Sequence, residues 1–201
     1  MNRRDALKGL GLTLGYSIAT SSVMSLLQSC KTEAKLWTPK FLSIDEGIVV
    51  KNLIDIILPK TKTIPGALDL NIPEFIDLFI NTSYNEKEQK KFKKRIATVI
   101  NALNIPEEGV SALQHNAYDA LLAKYLKIPK QQRLIYEKEK DKSNTDAIIY
   151  KTLTDLRDTS VWAFRNSEQI GEHVLAYDPI PGVQIGCAPL EETTKGKSWS
   201  L

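Results

Sequence analysis

Two helix-start signals, Ser43-Ile44-Asp45-Glu46 and Asn85-Glu86-Lys87-Glu88, leave little room for anything but short helices between the prolines that punctuate this chain. In such a signal the first side chain accepts from a free amide of the opening turn, while the glutamate three places on reaches back to the amide of the cap. Behind Ser43, the apolar residues Ile48, Val49, Leu53, Ile56 and Ile57 recur near helical spacing until Pro59, and Leu42 in front is placed to staple the start. Behind Asn85, Phe92, Ile96, Val99, Ile100 and Leu103 follow at three- and four-residue steps on a lysine-rich surface helix that Pro106 to Gly109 break. Between the two, Asn71-Ile72-Pro73-Glu74 opens a helix to about Tyr84 with proline in its first turn. Phe75, Ile76, Leu78, Phe79 and Ile80 make that helix apolar on most sides, so it is expected at the centre of the core.

Further helices are expected over Ala117 to Leu126, over Pro129 to Lys142 with a solvated Lys/Glu face, and over Thr145 to about Phe164. The last should bury Ile148, Ile149, Leu153, Leu156, Val161 and Trp162. Ser167, as a small cap before Glu168, starts a final turn or two carrying Ile170, Gly171 and His173. The expected fold is all-α, a single compact domain of about six or seven helices. The chain has 201 residues, 42% of them hydrophobic and 25% charged, enough for one real core. No repeat of solenoid length and no low-complexity segment is present.

The tail breaks the helical pattern. Residues 175–190 gather Tyr177, Pro179, Ile180, Pro181, Gly182, Cys187 and Pro189 with little charge. Proline fixes φ and glycine supplies φ > 0, so Pro181-Gly182 suits the centre of a type II turn. An extended, proline-rich arm is expected, lying either on its own helices or on a partner; Val183-Gln184-Ile185 could pair as a short ribbon.

The first residues read as an address. Arg3-Arg4, with Leu7 and Lys8 after them, resemble the twin-arginine export signal, although Ala6 stands where phenylalanine is commonest and a general secretory signal remains open. Leu27-Gln28-Ser29-Cys30 looks like a lipobox, in which cleavage before Cys30 is followed by lipidation of its sulfur. The expected boundaries are therefore a signal peptide over 1–29, a tether over 30–40, the helical domain with its arm over 41–190 and a polar tail over 191–201. A lipid-anchored protein on the periplasmic side of a bacterial membrane follows, inner or outer being open. Arg3, Arg4 and Lys8 against Asp5 account for +2 of the formal net charge of +3, so no nucleic-acid footprint survives in the mature chain.

Residues that carry chemistry are sparse. His115 and His173 are far apart and read as structural, no cysteine pair offers a metal site, and Ser167, His173 and Asp178 lie too close along one arm to converge as a triad. No catalytic, cofactor-binding or metal-binding residue is assigned. With Cys30 lipidated, Cys187 is left either as an inert buried thiol or as a thiol in a disulfide or close contact with another subunit.

The twin arginines, the Ile56-Ile57-Leu58-Pro59 to Pro65-Gly66-Ala67 loop, the Ile72-Pro73-Glu74-Phe75-Ile76-Asp77 helix start and the Gly171-Glu172 to Pro189-Leu190 arm together resemble the gluconate 2-dehydrogenase subunit 3 family. The likeness runs from about Phe41 to Leu190, and the lipobox looks like that of the lipoprotein form. It implies a small subunit without cofactor or catalytic residues, an accessory to an oxidoreductase complex. Its partner would be a large FAD-dependent flavoprotein of the glucose-methanol-choline (GMC) type, oxidising a sugar, sugar acid or glycoside and passing electrons to a cytochrome or other acceptor. Export by the twin-arginine route, which carries folded proteins, makes an escort and anchor for that flavoprotein the expected role. Pro59, Pro65, Tyr177, Pro179, Ile180, Pro181 and Cys187 are the expected partner contacts. The alternatives are a stand-alone periplasmic lipoprotein that binds carbohydrate or serves in assembly, and an enzyme in its own right.

Overall fold

The computed structural model describes residues 37–141, 143–178, 180, 182 and 187–200. Arg3, Arg4, Cys30, Pro179, Pro181 and the 183–185 segment lie outside the described residues. The chain divides into the units 1–37 and 38–201, and the architecture below is that of the second.

Among the described residues there are eight α-helices and one 3₁₀ turn, and no strand. They are α1 Ile44–Ile57, α2 Ile72–Ser83, α3 Glu86–Asn101, the 3₁₀ turn Val110–Ala112, α4 His115–Leu126, α5 Lys130–Lys138, α6 Thr145–Arg165, α7 Glu168–His173 and α8 Leu190–Thr194. The domain is all-α, as its sequence predicts. The helix absent from the expectation is α8, five residues long and preceded by proline.

Both capping boxes form. The Ser43 hydroxyl accepts from the Glu46 amide at 3.2 Å and the Glu46 carboxylate accepts from the Ser43 amide at 2.7 Å. Asn85 and Glu88 exchange the same pair at 3.1 and 3.0 Å. These bonds satisfy amides that an isolated helix start leaves without partners. A third cap, Asn144, accepts from the Ala147 amide at the head of α6. Ser167 does not cap: its hydroxyl donates to the Phe164 carbonyl at 2.7 Å instead.

The core lies between α1 and α6. α1 packs against α2, α3, α4, α6 and the 3₁₀ turn, while α6 packs against each of α1 to α5 and α7. Val49, Val50, Leu53 and Ile54 of α1 and Leu153 of α6 are wholly buried. α2 is not central. Ile72, Pro73, Ile76, Asp77 and Ile80 share its inner side, but Phe75 and Leu78 face outward at 40% and 51% exposure. An all-round apolar helix needs neighbours on every side to be buried, and α2 has them on one. Trp162 of α6, also expected inside, is 48% exposed.

Leu42 is buried, yet not by a staple, because the position that would meet it one turn into α1 is Gly47. Its place is set by Asp77 of α2, which is 1% exposed. One Asp77 oxygen accepts from the Phe41 and Leu42 amides at 3.1 and 2.8 Å, and the other accepts from the Lys40 amide at 2.5 Å. A carboxylate taken out of water is tolerated where charge-assisted hydrogen bonds replace its hydration. Lys93 of α3 adds an ion pair to Glu46 and lies 4.7 Å from the centre of the Phe41 ring, so the start of α1 is also tied to α3.

α5 stops at Lys138, short of the expected Lys142, because the next residues fold into a polar turn. Glu139 accepts from the Asp141 amide and the Asn144 side chain, and Asp141 accepts from the Ser143 amide and hydroxyl. Such side-chain bonds to nearby backbone compete with helix. At the other end of the molecule the tail returns. The Ala176 amide donates to Ser198, the Ser200 amide donates to Ala176, and Arg165 donates to the Ser198 hydroxyl.

Asp77→Ala leaves three amides without their acceptor and should cost about 3 kcal/mol of unfolding free energy, with Asp77→Asn losing less. Urea denaturation of the two variants measures this; equal stability of Asp77→Ala and wild type would contradict the assignment.

Candidate partner-binding surface

The loop after α1 is built to hold one shape. The Ala67 amide donates back to Leu58 at 2.9 Å, closing residues 59–66 into a compact excursion. Asp69 fastens it, accepting from Lys60 Nζ and from the Gly66 amide, both at 2.8 Å. A Cβ on Gly66 would lie 2.6 Å from the Lys60 nitrogen, so the two strands of the loop touch where no side chain fits. Within it the Thr61 hydroxyl accepts from the Ile64 amide. Pro59 is exposed and Pro65 half-buried at this loop, with Ile64 also reaching solvent.

The described part of the arm is apolar and open. Tyr177 is 49% exposed and Ile180 83%, and Cys187 is exposed rather than buried. Asp178 accepts from the Ile180 amide, a local turn bond. Among the described residues no hydrogen bond or ion pair joins the 59–69 loop to the arm. His115 and His173 are both exposed. The hydroxyl of Ser167 is engaged by Phe164, and no group of three or more His, Cys, Asp or Glu among the described residues could hold a metal ion.

A third surface is absent from the expectations drawn on sequence. Phe75, Phe79 and Trp162 form a triangle of rings on α2 and α6, with all three centroid separations between 5.9 and 6.0 Å. Tyr84 meets Phe79 edge-on at 6.0 Å. Beside these rings a cleft of ≈ 200 Å³ opens between α2, α3 and α6, lined by Phe79, Tyr84, Lys91, Phe92, Arg95 and Asp155 among others. Arg95 is held from two sides, donating from Nε to the buried Thr152 hydroxyl at 3.1 Å and from Nη2 to Asp155 at 2.6 Å. The recess is smaller than the roughly 300–1,000 Å³ of small-molecule sites. A shallower depression lies on α5 beside Leu134, Ile135, Lys138 and Glu139.

Helical spacing marks Phe75 and Trp162 as apolar but carries no record of how many helices surround them. That is why sequence reasoning puts them in the core. The exposure of Leu78 and Trp162 beside wholly buried Leu153 is visible only in three dimensions.

With the geometry in view, comparison with known proteins gives one match: a family model for gluconate 2-dehydrogenase subunit 3 aligns with residues 44–182. No curated protein and no solved structure matches.

Trp162→Ala should cost about 1 kcal/mol or less of stability, against about 2–5 kcal/mol for Leu153→Ala, because only the second opens a cavity in the core. Thermal unfolding of both variants separates the two positions. A second expectation concerns acid. The hydrogen bonds from Lys60 and then from the Gly66 amide hold the Asp69 carboxyl below the ordinary carboxylate range. The contribution of the Asp69 clasp is therefore full above about pH 4, the ordinary aspartate value, and is lost as pH falls through the depressed folded-state value. Protection of the Gly66 amide, its exchange taken relative to the intrinsic rate at each pH, should fall on acidification through that value, and protection that stays constant would refute the clasp.

Proposed function

Because the chain belongs to the gluconate 2-dehydrogenase subunit 3 family, we propose that it is the non-catalytic small subunit of an FAD-dependent GMC-type oxidoreductase. The large subunit would oxidise a sugar, sugar acid or glycoside and hand electrons to a cytochrome or other acceptor. This chain would escort the folded flavoprotein through the membrane by way of Arg3 and Arg4, help assemble it, and hold it on the periplasmic side through lipid on Cys30. The observation that carries the reading is the extent of the match: residues 44–182 take in α1 through α7 and enter the arm, so the likeness is to the folded domain and not to one motif.

The exposed surfaces support an accessory role. Pro59 and Pro65 sit on a loop that Asp69 clasps from within, and the side chains of Tyr177, Ile180 and Cys187 are open to solvent. Preformed loops and open aromatic side chains lower the ordering cost of association. Pro179 and Pro181 belong to the same proposed contact. The aromatic cleft favours a second reading, a stand-alone carbohydrate-binding lipoprotein, but its volume is small for a sugar with its hydration.

The test is a pull-down of the tagged full chain from its native host, with flavin absorbance and co-eluting chains read together. A yellow complex with a large oxidoreductase is expected, membrane-bound for the wild type and released by Cys30→Ser. A colourless lone bait would favour the second reading. An export signal on the large subunit itself would remove the escort role while leaving the subunit role intact.

A further inference from the structure

We propose that the outward face of α2 and α6, with the cleft beside it, receives an acidic, apolar-centred segment of the large subunit; this rests on the small-subunit reading above. The first observation is the aromatic cluster. Phe75, Leu78 and Trp162 are 40%, 51% and 48% exposed, and the two rings are joined through Phe79 into one continuous patch. Clustered exposed aromatics are unusual on an isolated domain, and tryptophan is the side chain most often found at the energetic centre of protein interfaces.

The second observation is shape. The cleft of ≈ 200 Å³ shares Phe79 with the patch and so gives the flat aromatic surface an adjoining socket. Its volume suits one inserted side chain. A lipid surface, by contrast, would cover the rings and leave the recess unfilled.

The third is charge. Of the ionised groups that line the cleft, Glu88 is committed to the Asn85 cap, and Asp155 and Arg95 to each other. Lys91 is left over at the edge, and it belongs to an exposed stripe on α3 with Lys87, Lys90 and Lys94, successive turns of one face. Lys90 has only a loose pair with Glu86 at 3.8 Å. The cap bond leaves the Glu88 charge in place, so the cleft lining itself is balanced, and the positive surplus lies along the exposed face of α3, four lysines against Glu86 and Glu88; carboxylates flanking an apolar knob are its complement.

The experiment uses the full tagged chain co-expressed with the large oxidoreductase subunit found in the pull-down, and reads flavin recovered per mole of bait. Trp162→Ala and Lys91→Glu should each lower it about fivefold or more, while Trp162→Phe stays within about twofold of wild type. Circular dichroism checks that the helices persist; should Trp162→Ala lose them, Leu78→Ser and Lys91→Glu at exposed positions probe the same contact. Wild-type recovery of flavin in every variant overturns this inference alone. So does unchanged flavin recovery combined with lost sedimentation on phosphatidylglycerol vesicles, which would make the face a lipid contact. A wild-type chain that recovers no flavin overturns the small-subunit reading and this inference with it.

Discussion

The fold depends on one carboxylate. Asp77 sits on the inner side of α2, nearly sealed from solvent, and gathers the amides of three successive residues just ahead of α1. The Leu42 amide cannot bond to a helix, since α1 has not begun, nor to water, since Leu42 is buried among the helices, while Phe41 is half-buried and Lys40 exposed. Without the carboxylate Leu42 would carry a buried donor with no acceptor, which native structures avoid. With it, the start of α1 is fixed against α2, the Ser43 cap closes, and Glu46 is placed to meet Lys93 of α3. Three helices are thereby brought to register through one residue thirty-five positions away from Leu42 in the chain.

Much of this is legible without coordinates, and the reason is that caps are local. Ser43 with Glu46 and Asn85 with Glu88 are complete motifs within four residues, so their geometry follows from sequence alone. Pro59 just after α1 and Pro73 in the first turn of α2 mark boundaries for the same reason. What cannot be read is whatever needs a distant partner. Asp77 looks like any polar residue on a helix until the amides of residues 40–42 are beside it. Leu42 looks like a staple until Gly47 is seen to offer it no side chain. Phe75 and Trp162 look like core because hydrophobicity records a preference, and only packing shows whether it is met. The loop over 59–69 is marked by its prolines and glycine, yet its clasp joins Lys60 to an aspartate nine residues on, beyond the reach of a turn rule.

The surfaces that stay open divide by type. The 59–69 loop is held by hydrogen bonds, whereas the α2 and α6 face presents rings beside a socket, with a row of lysines on the neighbouring α3. Interfaces combine such features, an apolar centre that supplies affinity and a charged rim that steers approach. The α1 and α6 core is where the chain gains its stability, while Phe75, Leu78 and Trp162 stay at the surface.

The return of the tail has a consequence for the arm. The Ala176 amide and carbonyl pair with Ser198 and Ser200, and the buried Thr194 and the Arg165 to Ser198 bond hold the same region. The arm is thus a closed ring of chain and not a loose end, fixed at both feet to the bundle. For a ring the entropy of bringing the ends together is already spent in the free protein, and it grows only slowly with the number of residues between them. Insertions between the feet should therefore alter what the ring can touch far more than they alter whether the domain folds, leaving this stretch open to divergence among relatives while the bundle beneath it stays the same.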